Sequence, residues 1–327
     1  MTGTALCAAG VVLSTAGYFA GGKDFTYTSD HMYVSGGNSS SRKNLAVMKK
    51  EQIDDFTKLN VDFENFDLDI RTSDDDHYYM EYKLEKNGRK NPLTWKDKDG
   101  ELTLEESAGG SGSYYITYDL GIFSTHADLT EKKDALNTVI LYIPEKAQLS
   151  EAELQLSDGD LTADQLLCKE MTLELLNGDL MLDKGEFEKF DAKFSDGDLN
   201  VKELQCTDNM QLKSGNGDVT IKKAELADGQ IALSDGDLQI DNSSFNGDMK
   251  INSSCGDVSV EMKNGSAEKT NIYLKAADGD VDTEGLSRGK SDNEEDTSVY
   301  ENKAGASAPT LNVKCSDGDI TLTESEK

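Results

Sequence analysis

The stretch LQLSDGDLTA (residues 154–163) has apolar residues at alternate positions on both sides of a Gly-Asp pair. Such alternation is typical of a β-strand with one buried face. The step from Leu156 to Leu161 is an odd number of positions, so a straight strand would turn Leu161 away from the core. The chain must therefore bend or bulge within SDGD. Glycine is expected there because it alone adopts a positive φ without steric cost.

Apart from Gly247-Asp248, the Gly-Asp pair recurs at nearly constant spacing along the chain, and the same positions around it are apolar, with Ser214, Ser253 and Thr283 as exceptions. Such a fixed period is the signature of a solenoid whose coils stack on one another. We predict a mostly β fold, a β-solenoid or β-helix-like repeat of about 19–20 residues per coil. The predicted structural corners are Gly159, Gly178, Gly197, Gly217, Gly236, Gly256, Gly279 and Gly318.

Two irregularities in the repeat leave the number of corners per coil open. Gly247 adds a pair midway between two others, which suggests a second corner. Cys168 and Cys206 lie at the same distance past their glycines, so a super-repeat of two periods is also allowed. The long gap from Gly279 to Gly318 is interpreted as two periods with one motif missing. Polar residues 285–308 are predicted to form a loop insertion there.

The chain upstream of the repeat divides into three parts. Residues 57–149 form a predicted N-terminal β-strand region before the repeat at 150–327; its strands lie near 59–63, 66–70, 78–84, 101–104, 114–118 and 138–143. Residues 23–56 are predicted to be a juxtamembrane connector with a short helix near 44–56.

Residues 1–22 are predicted to form a hydrophobic helix that anchors the protein in a membrane. Residues 2–22 contain no charge, and Lys23 ends the run. A signal sequence is the alternative, although no basic residues precede the run. The expected localisation is the cell membrane, single-pass, with an extracytoplasmic ectodomain.

The charge balance limits the class of partner. Acidic residues outnumber basic ones 63 to 33, which gives a net charge of -30. Such a field repels nucleic acids, so we expect no nucleic-acid binding. The predicted partner is a protein, a peptide or a cell-surface ligand of unknown identity. The simplest interpretation of the charge is solubility alone.

The repeated S/D/N-G-D-(L/V/I) units and the segment VILYIPEKAQLSEAELQLSDGDL (139–161) resemble the bacterial putative-adhesin family, a domain of unknown function built of β-strand repeats. The resemblance covers residues 55–327. It implies an extracytoplasmic, often membrane-attached β-solenoid-like domain with a role in adhesion or in envelope-stress sensing. It brings no catalytic residues.

The acidic corners allow a metal-site hypothesis and a structural one. Asp-Gly-Asp suits calcium, and the weak candidates are Asp158, Asp160, Asp196, Asp198, Asp235 and Asp237. However, the EF-hand and β-roll calcium motifs are absent. Turn aspartates that accept backbone N–H groups are the better supported interpretation. We therefore predict no metal and no cofactor, and a calcium-stabilised spacer is the alternative function.

The position before each glycine alternates between charged and neutral residues in the first five coils: Asp158, Asn177, Asp196, Asn216 and Asp235. We hypothesise that this alternation spaces the charges by a full extra coil.

Catalysis finds little support in the sequence. Residues 150–284 contain no His, Arg or Trp, and Tyr273 is their only tyrosine. The protein is predicted to be non-enzymatic, with a carbohydrate-active enzyme on a β-helix as the remote alternative. The upstream aromatic residues are predicted to pack across strands, and they are the first choice for any binding surface. They are Tyr78, Tyr79, Tyr82, Trp95, Tyr114, Tyr115, Tyr118 and Phe123.

Overall fold

The computed structural model describes residues 25–27, 32–34, 44–108, 136–283, 286, 289–294 and 297–326. The chain forms two compact units. Unit 1 comprises Met1–Ala46, Glu85–Pro92 and Ala108–Ala135, and unit 2 comprises Val47–Leu84, Leu93–Ser107 and Leu136–Lys327. The predicted helix at 1–22 and the predicted strand at 114–118 lie outside the described residues. In unit 1, β1 (Phe25–Tyr27) and β2 (Met32–Val34) pair as an antiparallel hairpin.

The other strands belong to one 22-stranded sheet. The strands before the repeat are β3 (Leu45–Gln52), β4 (Lys58–Phe63), β5 (Asp67–Ser73), β6 (Tyr79–Glu85), β7 (Leu93–Lys98), β8 (Glu101–Glu106) and β9 (Thr138–Pro144). The repeat begins with β10 (Leu149–Leu156), β11 (Leu161–Asn177), β12 (Leu180–Asp196), β13 (Leu199–Asn216), β14 (Val219–Lys222), β15 (Ala224–Asp235), β16 (Leu238–Phe245), β17 (Met249–Cys255) and β18 (Val258–Met262). A 3-10 helix (Ala267–Lys269) precedes β19 (Asn271–Asp278), β20 (Val281–Asp282), β21 (Lys290–Glu294), β22 (Thr297–Asn302), β23 (Thr310–Asp317) and β24 (Ile320–Glu324).

The coils stack as parallel strands with a register of one period. Leu161 pairs with Leu180, and Leu199 pairs with Val219, so each residue meets its equivalent in the next copy of the repeat. The eight predicted corner glycines therefore occupy equivalent positions, one in each coil. The β-solenoid-like fold inferred from the repeat is the fold that the structure shows.

Each coil bends at three places, as the burial of β11 shows. The buried residues are Leu161 and Ala163, then Leu166 and Cys168, then Met171, Leu173 and Leu175. An odd step separates each group from the next, so the strand direction changes there. We call the three straight segments face A (161–163 and equivalents), face B (166–168) and face C (171–175). The Gly-Asp corner joins face C of one coil to face A of the next.

Gly247-Asp248 lies at the bend between faces B and C. The Asp248 N–H donates to Asp228 Oδ1 at 2.7 Å, and the Thr310 N–H donates to Asp248 Oδ1 at 3.0 Å. This bend is not the one that the other Gly-Asp pairs occupy, which explains why Gly247 is out of phase with them.

At the end of the repeat, the order of coils in the stack differs from their order in the sequence. β23 and β24 pair with β17 and β18 on one side and with β19 and β20 on the other. The last strands therefore insert between two earlier coils. The interpretation that a motif is missing between Gly279 and Gly318 was wrong, because the two levels are direct neighbours in reverse order.

The other end of the stack is built in the same way. β4 and β5 lie between β8 and β9 on one side and β10 and β11 on the other. Antiparallel strands cover both ends: β6 pairs with β9, β7 with β8, and β22 with β19. Such coverage protects strand edges that would otherwise be open to pairing with another chain.

Two local predictions were wrong. Residues 45–52 form a strand instead of the helix predicted near 44–56, because pairing with β6 overrides the local helix signal. Within the predicted loop at 285–308, β21 and β22 form an antiparallel hairpin. Across the segments that the structure describes, no helix is long and apolar enough to cross a membrane.

Candidate functional site

The corner glycines leave no room for a side chain. A Cβ on Gly178 would lie well under 3.0 Å from the carbonyl oxygen of Gly159 in the coil below, and the same overlap recurs at each of the eight corners. Six of the glycines also have a positive φ, from 109° at Gly256 to 154° at Gly279. Gly159 and Gly178 do not, so close stacking of backbones is the requirement that all eight share.

The aspartates that follow these glycines form a continuous hydrogen-bonded ladder. The Asp218 N–H donates to Asp198 Oδ1 at 2.8 Å, and the Asp198 N–H donates to Asp179 Oδ1 at 2.8 Å. Each carboxylate therefore holds the backbone of the next coil. In stack order the ladder is Asp67, Asp160, Asp179, Asp198, Asp218, Asp237, Asp257, Asp319 and Asp280.

Asp67 begins the ladder, and it occupies a more buried setting than the other members. Its Oδ1 accepts the Asp160 N–H at 3.0 Å, and its Oδ2 accepts the Thr138 hydroxyl at 3.3 Å. Burial raises the pKa of the Asp67 carboxyl, although the hydrogen bond from Asp160 opposes that shift. The charged form of Asp67 is therefore less favourable in the folded chain than in the unfolded one.

Because the folded pKa of Asp67 is raised, its carboxylate penalises folding above that pKa, and the penalty is absent below the ordinary pKa of 3.8. Asp67→Asn keeps an oxygen acceptor and removes the charge. We expect it to melt above the wild type at pH 7 and to lose that advantage at pH 3. Asp67→Ala, which removes the acceptor, should melt below the wild type at both pH values. If Asp67→Asn still melts above the wild type at pH 3, the charge of Asp67 is not the cause of the difference in stability.

The column before the glycines carries the charge alternation seen in the sequence. Asn177 Nδ2 donates to Asp158 Oδ1 at 2.7 Å, and Asn216 Nδ2 donates to Asp196 Oδ1 at 2.6 Å. Each asparagine therefore bonds the aspartate of the coil below it as well as separating two charges. Stack order extends the alternation as far as Asp317, because Cys255 separates it from Asp235. The alternation ends there, since Asp278 is the direct neighbour of Asp317.

Asn177→Asp places three carboxylates in a row and removes the bond to Asp158. We expect its melting temperature to fall, and to fall more at low salt than at high salt, because the added repulsion is screened by salt. Asn200→Asp is the matched control, since Asn200 is exposed on face A between Met181 and Thr220. Equal melting temperatures for Asn177→Asp and the wild type at low salt would refute the spacing hypothesis.

Five of the six weak calcium candidates accept hydrogen bonds within these two columns. Asp160, Asp198 and Asp237 each accept a backbone N–H at Oδ1, and Asp158 and Asp196 accept asparagine side-chain N–H groups at Oδ1. Asp235 lies between Asn216 and Cys255 in its column. Among the described residues, no three His, Cys, Asp or Glu side chains are arranged to hold a metal ion.

The upstream aromatic residues that the structure describes mostly contact their own chain. Tyr78 is buried against Phe56, with ring centroids 4.7 Å apart. The Tyr79 hydroxyl donates to Asp75 at 2.7 Å, and the Lys50 ammonium lies 3.7 Å from the Tyr142 ring centroid. Tyr82 is half-buried and Trp95 is exposed, while Tyr114, Tyr115, Tyr118 and Phe123 lie outside the described residues. These contacts favour packing over ligand binding for the described aromatics.

Three of the four described cysteines pack in the core. Cys168, Cys206 and Cys315 are buried, whereas Cys255 is exposed. Burial raises the pKa of the Cys168 thiol to about 12 and that of Cys206 to about 11. These thiols are therefore protonated and unreactive at neutral pH.

Face C carries a lysine stripe that the sequence reasoning missed. It consists of Lys193, Lys213, Lys250, Lys275 and Lys314. All point outward from face C, and none has an ion-pair partner among the described residues. Four of them share one position before a corner glycine, between two buried positions. An alignment of the repeats would have shown that lysine recurs at this outward position, next to the recurring apolar positions.

A groove lies on the same face, at the end of the stack that β19 forms, which we call the upper end. We call it the Tyr273 groove; its volume is about 420 Å³, and Tyr273, Glu301, Lys303 and Thr310 contribute to its lining. The segment that forms one wall is held by Asn271. Its Oδ1 accepts the Ala304 N–H at 3.0 Å, and its Nδ2 donates to the Gly305 carbonyl at 2.9 Å. The groove wall is thus fixed by side-chain bonds.

Stacked coils with a Gly-Asp corner define a β-solenoid-like protein. The family model described as Toastrack DUF4097 matches residues 56–323, so the chain belongs to this family. No curated protein matches it.

Three solved structures are similar to the chain at low identity. A "putative adhesin" from Parabacteroides merdae is 15% identical, with coverage of 89% of this chain and 98% of that one and a TM-score of 0.46. A "putative adhesin" from Parabacteroides distasonis is 16% identical (86% and 97% coverage, TM-score 0.44). A "putative lipid binding protein" from the same species is 12% identical (89% and 98% coverage, TM-score 0.43).

Proposed function

We propose that the protein is a non-enzymatic interaction module of a bacterial cell envelope, an adhesin or an envelope-stress sensor. Residues 1–22 hold it in the membrane, and the solenoid lies outside the cytoplasm. The observation that carries the proposal is the lysine stripe. Five lysines without ion partners in the described structure lie on one face of a chain whose net charge is -30. Such unpaired charge on a regular surface suits recognition of an external partner.

The arrangement of the acidic residues supports a binding role over catalysis. The regular carboxylates of the repeat hold backbone N–H groups, as the bond from Asp237 N–H to Asp218 at 2.9 Å illustrates. A carboxylate used in this way stabilises the stack. Stabilisation of the stack explains why Asp-Gly-Asp recurs. The motif therefore needs no role as a hydrolytic acid and base pair or as a calcium site.

Cys255 offers a direct test of the extracytoplasmic location. It is exposed, whereas the other described thiols are buried. A membrane-impermeant maleimide should label Cys255 on intact cells, as identified by mass spectrometry of the labelled peptide. Cys255→Ser is the control that should lose this label. Labelling of Cys255 only after cell lysis would overturn the proposed location.

The binding role is tested by attachment. Cells that make the protein should attach to surfaces coated with cell-envelope or host-surface material, or aggregate with one another, more than cells that lack it. Equal attachment and equal aggregation of the two strains would overturn the adhesin role.

A further inference from the structure

We infer that the partner of face C is a linear anionic glycan, with a sugar ring on Tyr273 and acidic groups along the lysine stripe. This inference rests on the proposed binding function and names the chemical class of its ligand. It joins two independent features of the same face, the lysine stripe and the Tyr273 groove.

The charges of face C select an anion at the upper end of the stack. The outward column that holds four of the lysines changes sign along the axis. From the lower end it reads Glu105, Asp62, Gln155, Glu174, Lys193, Lys213, Ala232, Asn252, Lys314 and Lys275. Lys250 lies beside this column at the level of Asn252. An anion is therefore attracted to the part of the column from Lys193 upward and repelled from the part below it.

The layout of the stripe favours a single extended chain over a membrane. Five coil steps separate Lys193 from Lys275, which is about 24 Å along the stack. The acidic corner columns begin close beyond the stripe, as Asp317 follows Lys314 in the same strand. An anionic plane would meet both the stripe and those carboxylates. A thin polymer that lies along the stripe need not.

The Tyr273 groove supplies the contacts that a sugar requires. Tyr273 neighbours Lys275 on the outward side of β19, and its hydroxyl has no hydrogen-bond partner within the described structure. Aromatic faces bind the apolar faces of sugar rings, and the hydroxyl is free to bond a sugar oxygen. Glu301, paired with Lys303 at 3.1 Å, lies at the groove as an acceptor for sugar hydroxyls.

A second copy of the chain is the competing occupant of this face. Two antiparallel copies would set the acidic half of one column against the basic half of the other. Apart from Ala232 and Tyr273, the uncharged outward residues of this part of face C, such as Asn312 and Gln230, are polar and give such a contact no continuous apolar centre. Stable interfaces need a well-packed core, so we favour the glycan.

The test measures binding of the full chain to fluorescent oligogalacturonides of increasing length, to dextran sulfate, to neutral dextran and to inorganic polyphosphate. We expect both acidic glycans to bind, with affinity that rises with length and falls with salt. Neutral dextran should not bind. The triple variant Lys250→Glu, Lys275→Glu, Lys314→Glu should lose about 30-fold in affinity for the acidic glycans. The control triple Lys49→Glu, Lys146→Glu, Lys222→Glu changes net charge equally on exposed residues elsewhere and should retain most of the affinity.

Tyr273 separates glycan binding from simple charge attraction. Tyr273→Ala should lose about fivefold in affinity for the acidic glycans and nothing for polyphosphate, while Tyr273→Phe keeps the stacking surface. Unchanged melting temperatures show that each variant is folded. Failure of both acidic glycans to bind, equal loss in the two lysine triples, or preference for polyphosphate would overturn the inference. So would a dimer by analytical ultracentrifugation that the Lys250, Lys275, Lys314 triple dissolves. A chain that labels at Cys255 on intact cells and promotes attachment, yet binds no acidic glycan, would refute the inference and leave the proposed function standing.

Discussion

Gly217→Ala is expected to lower the free energy of unfolding by about 4 kcal/mol. Two costs add at this position. Gly217 has φ of 121°, a conformation that strains any L-amino acid with a side chain. Its Cβ would also overlap the carbonyl oxygen of Gly197 in the coil below. Urea denaturation of the full chain, followed by circular dichroism, measures the loss.

Two further glycines separate these costs. Gly178 has the backbone overlap without a positive φ, and Gly178→Ala should cost about 2–3 kcal/mol. Gly265 has φ of 75° and open space around its Cβ, so Gly265→Ala should cost about 1 kcal/mol. If Gly178→Ala were as stable as the wild type, close stacking would not be the reason for glycine in this column.

The comparison of these glycines shows how far sequence reasoning can reach. The odd number of positions from Leu156 to Leu161 locates the corner, because side-chain direction alternates within a single strand. It also selects glycine, but on the ground of backbone torsion alone. The requirement for clearance comes from the neighbouring coil, and it becomes visible only once the register between coils is known. Gly159 and Gly178, which lack a positive φ, demonstrate the difference.

The order of the stack was beyond the reach of the sequence for a related reason. Period and apolar pattern are local properties, and they are the same whichever neighbour a coil has. Insertion of β23 between β17 and β19 depends on long-range pairing that no spacing encodes. The polar segment before β23 has the hydrophilic composition of a loop. Part of it nevertheless forms strand β22, which pairs with β19 and covers its edge.

Part of the candidate site could have been predicted from the sequence. Lys275 and Lys314 occupy the same outward phase as Lys213, so periodicity could have revealed the stripe. The Tyr273 groove could not have been found in that way. One wall of the groove includes Gly305 and Ala306, and Asn271 holds this segment through hydrogen bonds across a long separation in sequence.

Asp198→Ala and Asp198→Asn are expected to differ, and the difference identifies what the aspartate ladder does. Asp198→Ala leaves the Asp218 N–H without its side-chain acceptor and should cost about 2 kcal/mol at high salt. At low salt it should cost less, because loss of the charge also relieves repulsion within the ladder. Asp198→Asn keeps an oxygen acceptor and removes a charge that lies about 4.8 Å from its neighbours in the ladder. Two effects then oppose each other. The bond loses the strength that an ionised acceptor gives it. The repulsion from Asp179 and Asp218, about 1 kcal/mol each in water, is relieved.

At low salt these two effects should nearly cancel, so Asp198→Asn should unfold close to the wild type. At high salt the repulsion is screened, but the short bond is not, so Asp198→Asn should be less stable than the wild type by about 1 kcal/mol. Urea denaturation at both salt concentrations measures these differences. Aspartate would then persist in every coil because its charge strengthens the bond between coils by about as much as it repels the next carboxylate. Equal losses for Asp198→Ala and Asp198→Asn would show instead that the carboxylate charge itself is required, as expected of a ladder that binds a cation.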